Sequence, residues 1–227
     1  MAWEMGDALD GSDSVAVEVA PASHWADMRA VVLVASSEKK DVSSSAGMQQ
    51  TVATSSLFAE RVSGTVPKRM REMKDAIAKK DFAAFADLTM KDSNSFHATC
   101  LDTTPPIFYM NDASRAGVRM VDMINAEAGK AIAAYTFDAG PNAVVYYLAE
   151  NEQKVAGVFK RILGEKTGWE GRRGKDVKES NMPEGGQIAA DRLKEGISRI
   201  ILTGVGEGPI KTQESLVDDQ GNVSDKA

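Results

Sequence analysis

The chain has 227 residues, 43% of them hydrophobic and 26% charged, with a formal net charge of −6. This size and composition predict one globular domain with a sizeable core and a polar tail or insertion. The acidic balance, with a pI near 5.1, disfavours nucleic acid as a partner, because duplex binding needs a basic face. The apolar runs are far shorter than the ~20 residues of a membrane-spanning helix, so we expect no membrane partner.

The first residues lack the basic and apolar regions of a secretory signal peptide, and we expect a cytosolic protein. Cys100 is the single cysteine, so it cannot form an intramolecular disulfide. His, Cys and Asp residues show no metal-ligand spacing, and we therefore expect no metal site. Cys100 itself is best interpreted as a small buried apolar residue.

Residues 1–13 are polar and acidic and form a polar N-terminal segment without apolar periodicity. Alternating valines predict an edge strand at 14–19, and an apolar run predicts a central strand at 29–35. A polar loop follows, with Lys39 and Lys40 and then three serines before a stretch that favours a helix. The lysine pair is either a solvated loop or a source of long-range attraction for an anionic substrate.

The later part of the chain shows helical and strand periodicity in separate stretches, and its two polar stretches, 164–187 and 211–227, predict an exposed or partly disordered loop and a frayed tail. Helices are predicted at 67–80, 82 to about 97, 113–124, 155–162 and 188–195, and further strands at 131–138, 143–148 and 198–205. Together they predict an α+β domain over residues 14–210, with a mainly antiparallel sheet covered by helices on one face.

Asp138 follows a predicted strand and precedes the turn residues Gly140, Pro141 and Asn142. A carboxylate at a strand end, beside small residues, can meet a ligand while the strands hold it in position. The structural alternative is that Asp138 caps the turn through neighbouring backbone N–H groups.

Several stretches in one order resemble mevalonate diphosphate decarboxylase of the eukaryotic type, a member of the GHMP kinase superfamily. The matching stretches are AWEMG at 2–6, SHW at 23–25, SEKK at 37–40, GM at 47–48, LTMKDSN at 88–94, FHATCLDT at 96–103 and YTFDAGPNA at 135–143. The likeness weakens after about residue 163 and returns faintly at 200–203 and 205–209. Ordered matches of this length are far more specific than a lone short motif.

The resemblance implies the fold of a GHMP kinase C-terminal domain and assigns roles to particular residues. Asp138 matches the catalytic aspartate. Ser44 matches a serine that contacts the substrate diphosphate, Met48 matches a backbone contact of the same loop, and the neighbouring Ser45 is a further substrate-binding candidate. From the residues alone, hydroxyls and N–H groups at a helix start can hold an anion, and an ordinary serine cap is the alternative.

The implied reaction is the ATP-dependent decarboxylation of mevalonate diphosphate to isopentenyl diphosphate in the isoprenoid and sterol pathway, with ATP and Mg²⁺ as cofactors. The matching stretches lack the family's phosphate loop, its basic substrate contacts and its catalytic arginine. We therefore expect a C-terminal part that is inactive alone and that forms a homodimer. Two alternatives are another small-molecule kinase of the superfamily and a non-catalytic interaction or dimerisation module with the same fold.

The two histidines, His24 and His97, are both isolated in the sequence. His97 either satisfies a local hydrogen bond in the core or lines the site, and the same alternatives hold for Ser93 and Asn94.

Overall fold

The computed structural model describes residues 1–35 and 42–208, together with residues 211, 212, 215, 217 and 220. Lys39 and Lys40 and most of the predicted tail lie outside the described residues. Regular structure follows this order: β1 (Ala2–Glu4), β2 (Val15–Val17), β3 (Met28–Ala35), α1 (Ser44–Thr54), α2 (Ser56–Glu60), a π-helical turn (Arg61–Thr65), α3 (Val66–Lys79), α4 (Phe82–Asp102), α5 (Asp112–Ala128), β4 (Ala133–Thr136), β5 (Ala143–Leu148), α6 (Glu152–Leu163), α7 (Gln187–Gly196) and β6 (Ile197–Gly204).

The main sheet has the strand order β4-β5-β3-β6, and every neighbouring pair is antiparallel. In the central strand, Val31 lies opposite Val145 of β5 and Leu202 of β6. The strands predicted near 29–35, 131–138, 143–148 and 198–205 are all present. The predicted α+β class with a mainly antiparallel sheet is therefore confirmed.

One face of this sheet forms the main core. Val31 and Leu33 alternate along β3 toward that face and are fully buried, together with Met120 of α5, Phe159 of α6 and Leu193 of α7. Alternation of buried side chains along a strand matches the two-residue period of a pleated sheet. The helices α5, α6 and α7 therefore supply the principal cover, on one face.

The opposite face has a smaller aromatic cover on the β4–β5 side. Phe85 of α4 contacts Tyr146 of β5 edge-to-face, with ring centroids 5.5 Å apart, and Trp25 contacts Phe85 at 5.8 Å. Edge-to-face pairs add stability beyond the area they bury. This cluster fixes the first turns of α4 near the start of β4 and the end of β5, whereas Asp138 lies beyond the other end of β4.

The N-terminal residues differ from the expectation. The strand predicted at 14–19 does not join the main sheet; its β2 portion pairs with β1 in a separate two-stranded sheet, with Trp3 opposite Ala16. The Asp13 carboxylate accepts the amides of Asp7 and Ala8 and orders the connecting turn. Strands of three residues carry too little periodicity to predict β1 inside a polar segment.

Helix α4 ends at Asp102, later than the predicted end near residue 97. The Asp81 side chain caps its start by accepting from the Ala84 amide at 3.0 Å. Its buried face continues through Ser93, His97 and Cys100, and polar residues on that face conceal the apolar period. The prediction also missed α2 and the π-helical turn, which bury none of their residues.

The polar segment 164–187 is an irregular loop in which most residues are exposed, as expected, but a few buried residues anchor it to the domain. Trp169 is only 5% exposed, and its indole N–H donates to the Leu163 carbonyl at 3.0 Å. The Ile200 amide donates to the Thr167 carbonyl at 2.9 Å and joins the segment to β6. Burial of this large aromatic side chain stabilises the packing of the segment, although most of the neighbouring residues are polar.

Candidate active site

Asp138 lies two residues beyond the end of β4, on an exposed turn. The turn is held from two sides. The Ser114 hydroxyl of α5 donates to the Pro141 carbonyl at 2.8 Å, and the Asn142 side chain accepts from the Ala35 amide of β3 at 2.9 Å. The carboxylate therefore projects from a backbone that neighbouring elements fix.

The structure does not show the turn-capping role that was the alternative for Asp138. The Gly140 amide donates to the Asp138 main-chain carbonyl at 2.7 Å, not to the carboxylate. In the part of the chain that the structure describes, the carboxylate forms neither a hydrogen bond nor an ion pair. It is accessible to a ligand.

Helix α4 contacts the strand end that leads to Asp138. The Ser93 hydroxyl accepts from the Phe137 amide at 3.1 Å. One position further along α4, the Asn94 side chain exchanges hydrogen bonds with the Tyr135 hydroxyl, at 3.0 and 3.2 Å. Ser93 and Asn94 therefore have structural contacts, and both contacts position the segment before the carboxylate.

His97 lies one turn beyond Ser93 on the same helix and is 8% exposed. Burial lowers the pKa of the imidazole, while a hydrogen bond with the backbone of Phe137 and the negative charge of Asp138 raise it; the net direction is downward. The ring meets Phe137 edge-to-face at 6.1 Å. Its Nε2 atom is buried and has no partner among the described residues.

The three serines of the predicted diphosphate loop lie at the start of α1. Ser43 is the N-cap, and its hydroxyl accepts from the Ala46 amide at 3.2 Å. Ser44 and Ser45 follow as exposed residues of the first turn, which contains no acidic side chain. The ordinary cap is thus Ser43, and the two predicted binding serines lie at a helix start that favours an anion.

The Gly47-Met48 pair divides into a buried residue and an exposed one. Gly47 is the buried residue of α1, and the Tyr109 hydroxyl lies against it and donates to the Ser43 carbonyl at 3.4 Å. Met48 is 61% exposed, and the contact that the resemblance implies for it is made by its backbone. Tyr109 is a residue that sequence analysis missed, because no motif marked it.

A small buried cluster connects the two candidate segments. Cys100, Ile107 and Tyr109 form its centre, and Val42, Phe96 and Ala139 pack against it. Val42 precedes the serines of α1, and Ala139 follows Asp138 in sequence. Because residues beside both segments pack against the same cluster, it connects them. Burial raises the pKa of the Cys100 thiol, consistent with a packing role.

Asp92, within the LTMKDSN stretch, has an ion-pairing role. Burial alone would raise the pKa of its carboxyl, but hydrogen bonds and charges from Arg61 and Arg69 lower it overall. Arg61 binds both carboxylate oxygens, at 2.8 and 2.9 Å, and Arg69 binds one at 3.1 Å. This network joins α4 to the π-helical turn and α3.

Other features of the described residues do not point to a second reactive centre. Grooves of about 340 and 620 Å³ run along α3 and α4, and their lining residues do not include Asp138 or the serines of α1. Among residues 1–35, 42–208 and the few described beyond them, no group of three His, Cys, Asp or Glu residues is placed to hold a metal ion. No helix in that part is long and apolar enough to cross a membrane.

These features define an α+β domain with an accessible carboxylate at a sheet end and an anion-compatible helix start joined to it by a buried cluster. The family model of the mevalonate 5-diphosphate decarboxylase C-terminal domain matches residues 30–212. The chain therefore belongs to the mevalonate 5-diphosphate decarboxylase family and contains its C-terminal domain.

Similar proteins agree with this assignment. The diphosphomevalonate decarboxylase mvd1 of Aspergillus fumigatus is 58% identical over 231 residues, which cover 98% of this chain and 57% of that protein. A solved crystal structure of mevalonate 5-diphosphate decarboxylase is 49% identical, with a TM-score of 0.82, and the match covers 97% of this chain and 58% of that one. The chain thus spans a little over half the length of these relatives.

A more distant solved complex is described as MDDEF with MVAPP, AMPPCP and magnesium. It is 27% identical with a TM-score of 0.55, and the match covers 63% of this chain and 43% of that chain. Family members have therefore been solved with an ATP analogue and magnesium.

Proposed function

We propose that this chain supplies the catalytic carboxylate and a diphosphate-binding helix end of an ATP-dependent decarboxylase that converts mevalonate diphosphate to isopentenyl diphosphate. The names of the curated relatives support the substrate and the reaction. The observation that carries the proposal is the Asp138 carboxylate, which is exposed on a fixed turn and does not cap that turn among the described residues.

Asp138 orients the tertiary 3-hydroxyl of the substrate and accepts its proton late. An alcohol is about as weak an acid as water and far weaker than a carboxylic acid, so its full deprotonation by a carboxylate in advance would cost on the order of 16 kcal/mol. That barrier is too high to precede the chemistry. Because the transition state of phosphoryl transfer is loose, the proton can move as the hydroxyl becomes acidic.

Ser44, Ser45 and the Met48 backbone bind the substrate diphosphate in this proposal. The start of α1 contributes its partial positive charge, and no acidic side chain of the first turn opposes it. The Tyr109 contact with the Ser43 carbonyl holds this helix start in position before the substrate arrives. The entropic cost of ordering the helix start on binding is therefore lower.

We propose that ATP and Mg²⁺ bind mainly to the part of the enzyme that corresponds to the N-terminal half of the relatives. Mg²⁺ usually binds through one or two carboxylates and nucleotide phosphates, not through a closed protein cage. The described residues are compatible with this kind of Mg²⁺ binding, since they contain no group of three His, Cys, Asp or Glu residues that could enclose a metal ion. ATP supplies the phosphoryl group; Asp138 supplies the orienting charge.

In this proposal the chain alone is inactive, because ATP and Mg²⁺ bind mainly elsewhere, and the complete enzyme is a homodimer.

A chimera tests this proposal. The residues of the Aspergillus fumigatus relative that precede its match to this chain are fused to Met1, and release of phosphate and carbon dioxide is measured with mevalonate diphosphate and Mg-ATP. We expect turnover by the chimera and none by the 227-residue chain. An inactive, well-folded chimera would contradict the proposal and favour a non-catalytic dimerisation module.

A further inference from the structure

Helix α1, which has the proposed diphosphate-binding serines at its start, packs on the domain with a polar face. All eleven of its residues are described, and Gly47 is the only buried one. The residues that share the face of Gly47 at helical spacing are polar, namely Gln50, Thr51 and Thr54. Its larger apolar residues, Met48 and Val52, are exposed. Burial of apolar side chains therefore contributes little to the position of α1.

The segment that follows α4 binds this polar face through the backbone of Thr104. The Thr104 amide donates to the Thr54 hydroxyl, and the Thr104 carbonyl accepts from the Gln50 side-chain amide, each at 2.9 Å. The Thr54 hydroxyl donates in turn to the Gln50 carbonyl at 2.8 Å. Two side chains one turn apart on α1 thus pair both main-chain groups of one residue.

A buried hydrogen bond between two hydroxyl groups lies beside these contacts. The Thr51 and Thr103 hydroxyl oxygens are 2.9 Å apart, and Thr103 is only 2% exposed. The Thr103 hydroxyl donates to the Thr99 carbonyl of α4 at 3.0 Å. Since a hydroxyl group has a single proton, Thr51 is the donor to Thr103. We call the contacts of Gln50, Thr51 and Thr54 with Thr103 and Thr104 the polar seam.

Both ends of α1 are held by the same part of the fold. At the start, the Ser43 carbonyl accepts from the Gly47 amide at 2.9 Å and from the Tyr109 hydroxyl at 3.4 Å. At the end, the hydroxyl of the C-cap residue Ser55 donates to the Asp102 carboxylate at 2.8 Å. The end of α4 and the segment after it therefore contact α1 from its N-cap to its C-cap.

We propose that Thr103 is a positioning residue for the substrate diphosphate, because the polar seam fixes the rotation of α1 about its axis. That rotation sets the direction of the Ser44 and Ser45 hydroxyls, so the proposal rests on the proposed function of these serines. Hydrogen bonds are directional, whereas hydrophobic contacts are not, and a helix held by polar contacts has a defined rotation. A misplacement of about 1 Å can cost ~10²-fold in rate, so the seam has a functional effect.

Amide exchange of the 227-residue chain tests the seam independently of catalysis. We expect the amides of residues 47–55 to exchange at least about fivefold faster in Thr103→Val, which keeps the shape of threonine without its hydroxyl. Thr103→Ser, which keeps the hydroxyl, should restore most of the protection. Thr51→Val breaks the same bond from the less buried side and should have a similar effect, so the test does not depend on the folding of Thr103→Val.

The control for amide exchange is Thr203→Val, which removes an exposed hydroxyl from β6. It should leave the exchange of residues 47–55 unchanged, and the amides of α5 should be unaffected in every variant. Unprotected α1 amides in the parent chain would overturn the proposal, because a helix fixed by the seam is protected. Equal exchange in the parent, Thr103→Val and Thr51→Val would overturn it as well.

The active chimera provides the kinetic test. We expect Thr103→Val to raise KM for mevalonate diphosphate at least about threefold while kcat stays within about twofold, and Thr103→Ser to resemble the parent. In a chimera that already contains Ser44→Ala and Ser45→Ala, Thr103→Val should change KM less than about twofold, because the hydroxyls that the seam directs are absent.

The outcomes separate this proposal from the proposed function. An active chimera in which Thr103→Val leaves KM unchanged would overturn the positioning role alone. Equal changes in KM with and without the two serines, or a change that follows the melting temperature, would show a purely structural threonine. An inactive, well-folded chimera would contradict the proposed function, whereas the exchange rates would still decide whether the seam fixes α1.

Discussion

The Tyr109 hydroxyl occupies the space that a side chain at Gly47 would need. A Cβ added to Gly47 would lie 2.1 Å from Oη, far inside normal contact, and the next atom of the ring, Cζ, would lie at 3.3 Å. The same hydroxyl donates to the Ser43 carbonyl. The glycine of the Gly47-Met48 pair is thus explained by close packing at the helix start.

We predict that Gly47→Ala destabilises the fold by about 1–3 kcal/mol, because it overpacks this contact. Tyr109→Phe removes Oη and leaves the tight but tolerable Cζ contact. The double variant should therefore be more stable than the sum of the two single changes predicts, and urea unfolding of all four proteins measures that coupling. Strict additivity would show that the two residues do not meet.

Ser44→Ala in the active chimera should raise KM more than it lowers kcat. A hydrogen bond to a charged diphosphate contributes ~1.5–3 kcal/mol, which corresponds to roughly a ten- to hundredfold change in KM. Ser45→Ala provides the matched comparison at the adjacent exposed position. If only Ser45→Ala changes KM, the contact belongs to Ser45; if neither does, the diphosphate does not bind at this helix start.

Asp92→Asn should reduce stability in a pH-dependent manner. Because the pKa of Asp92 is lowered in the folded state, its ionised form stabilises the protein above the ordinary value of 3.8, and that contribution is lost as pH falls through the folded pKa. Since Asp92 is partly exposed, we expect about 1 kcal/mol at pH 7. Asp87→Asn, at an exposed pair with Lys91, should cost less than about 0.5 kcal/mol. Equal effects at pH 3 and pH 7 would contradict the ion-pair origin.

Trp169→Ala should destabilise the protein by about 3–5 kcal/mol, the usual cost of removing a buried large aromatic side chain. Trp169→Phe, which keeps most of the ring but not the N–H bonded to Leu163, should cost less. Chemical denaturation distinguishes the packed segment in the structure from the mobile loop that its composition suggests. A change below about 0.5 kcal/mol in Trp169→Ala would show that the segment is not packed.

Patterns of apolar residues predicted the main sheet and most helices, because the buried faces of β3, β5 and α5 are almost entirely apolar. The same reasoning failed where burial involves polar groups. Helix α4 extends through the buried polar residues Ser93 and His97, so its buried face does not appear hydrophobic in sequence. Strand β1 is too short to show a period.

The sequence predicted which chemical groups form the candidate site, but not how they are arranged. Turn residues placed Asp138 beside a strand end, and the serines indicated a helix start, but neither pattern showed which serine is the cap. The structure identifies that serine as Ser43. The links through Tyr109 and Ser93 depend on contacts between residues 66 and 44 positions apart, which local periodicity does not report.

Asp138→Asn in the active chimera is the most direct test of the central proposal. Asparagine keeps the shape of the side chain and suits a turn, but it cannot accept the proton. We predict that kcat falls by ~10²–10⁴-fold while KM and the melting temperature are nearly unchanged, and that the control Asp176→Asn retains the parent rate. Near-normal turnover by a well-folded Asp138→Asn chimera would contradict the account.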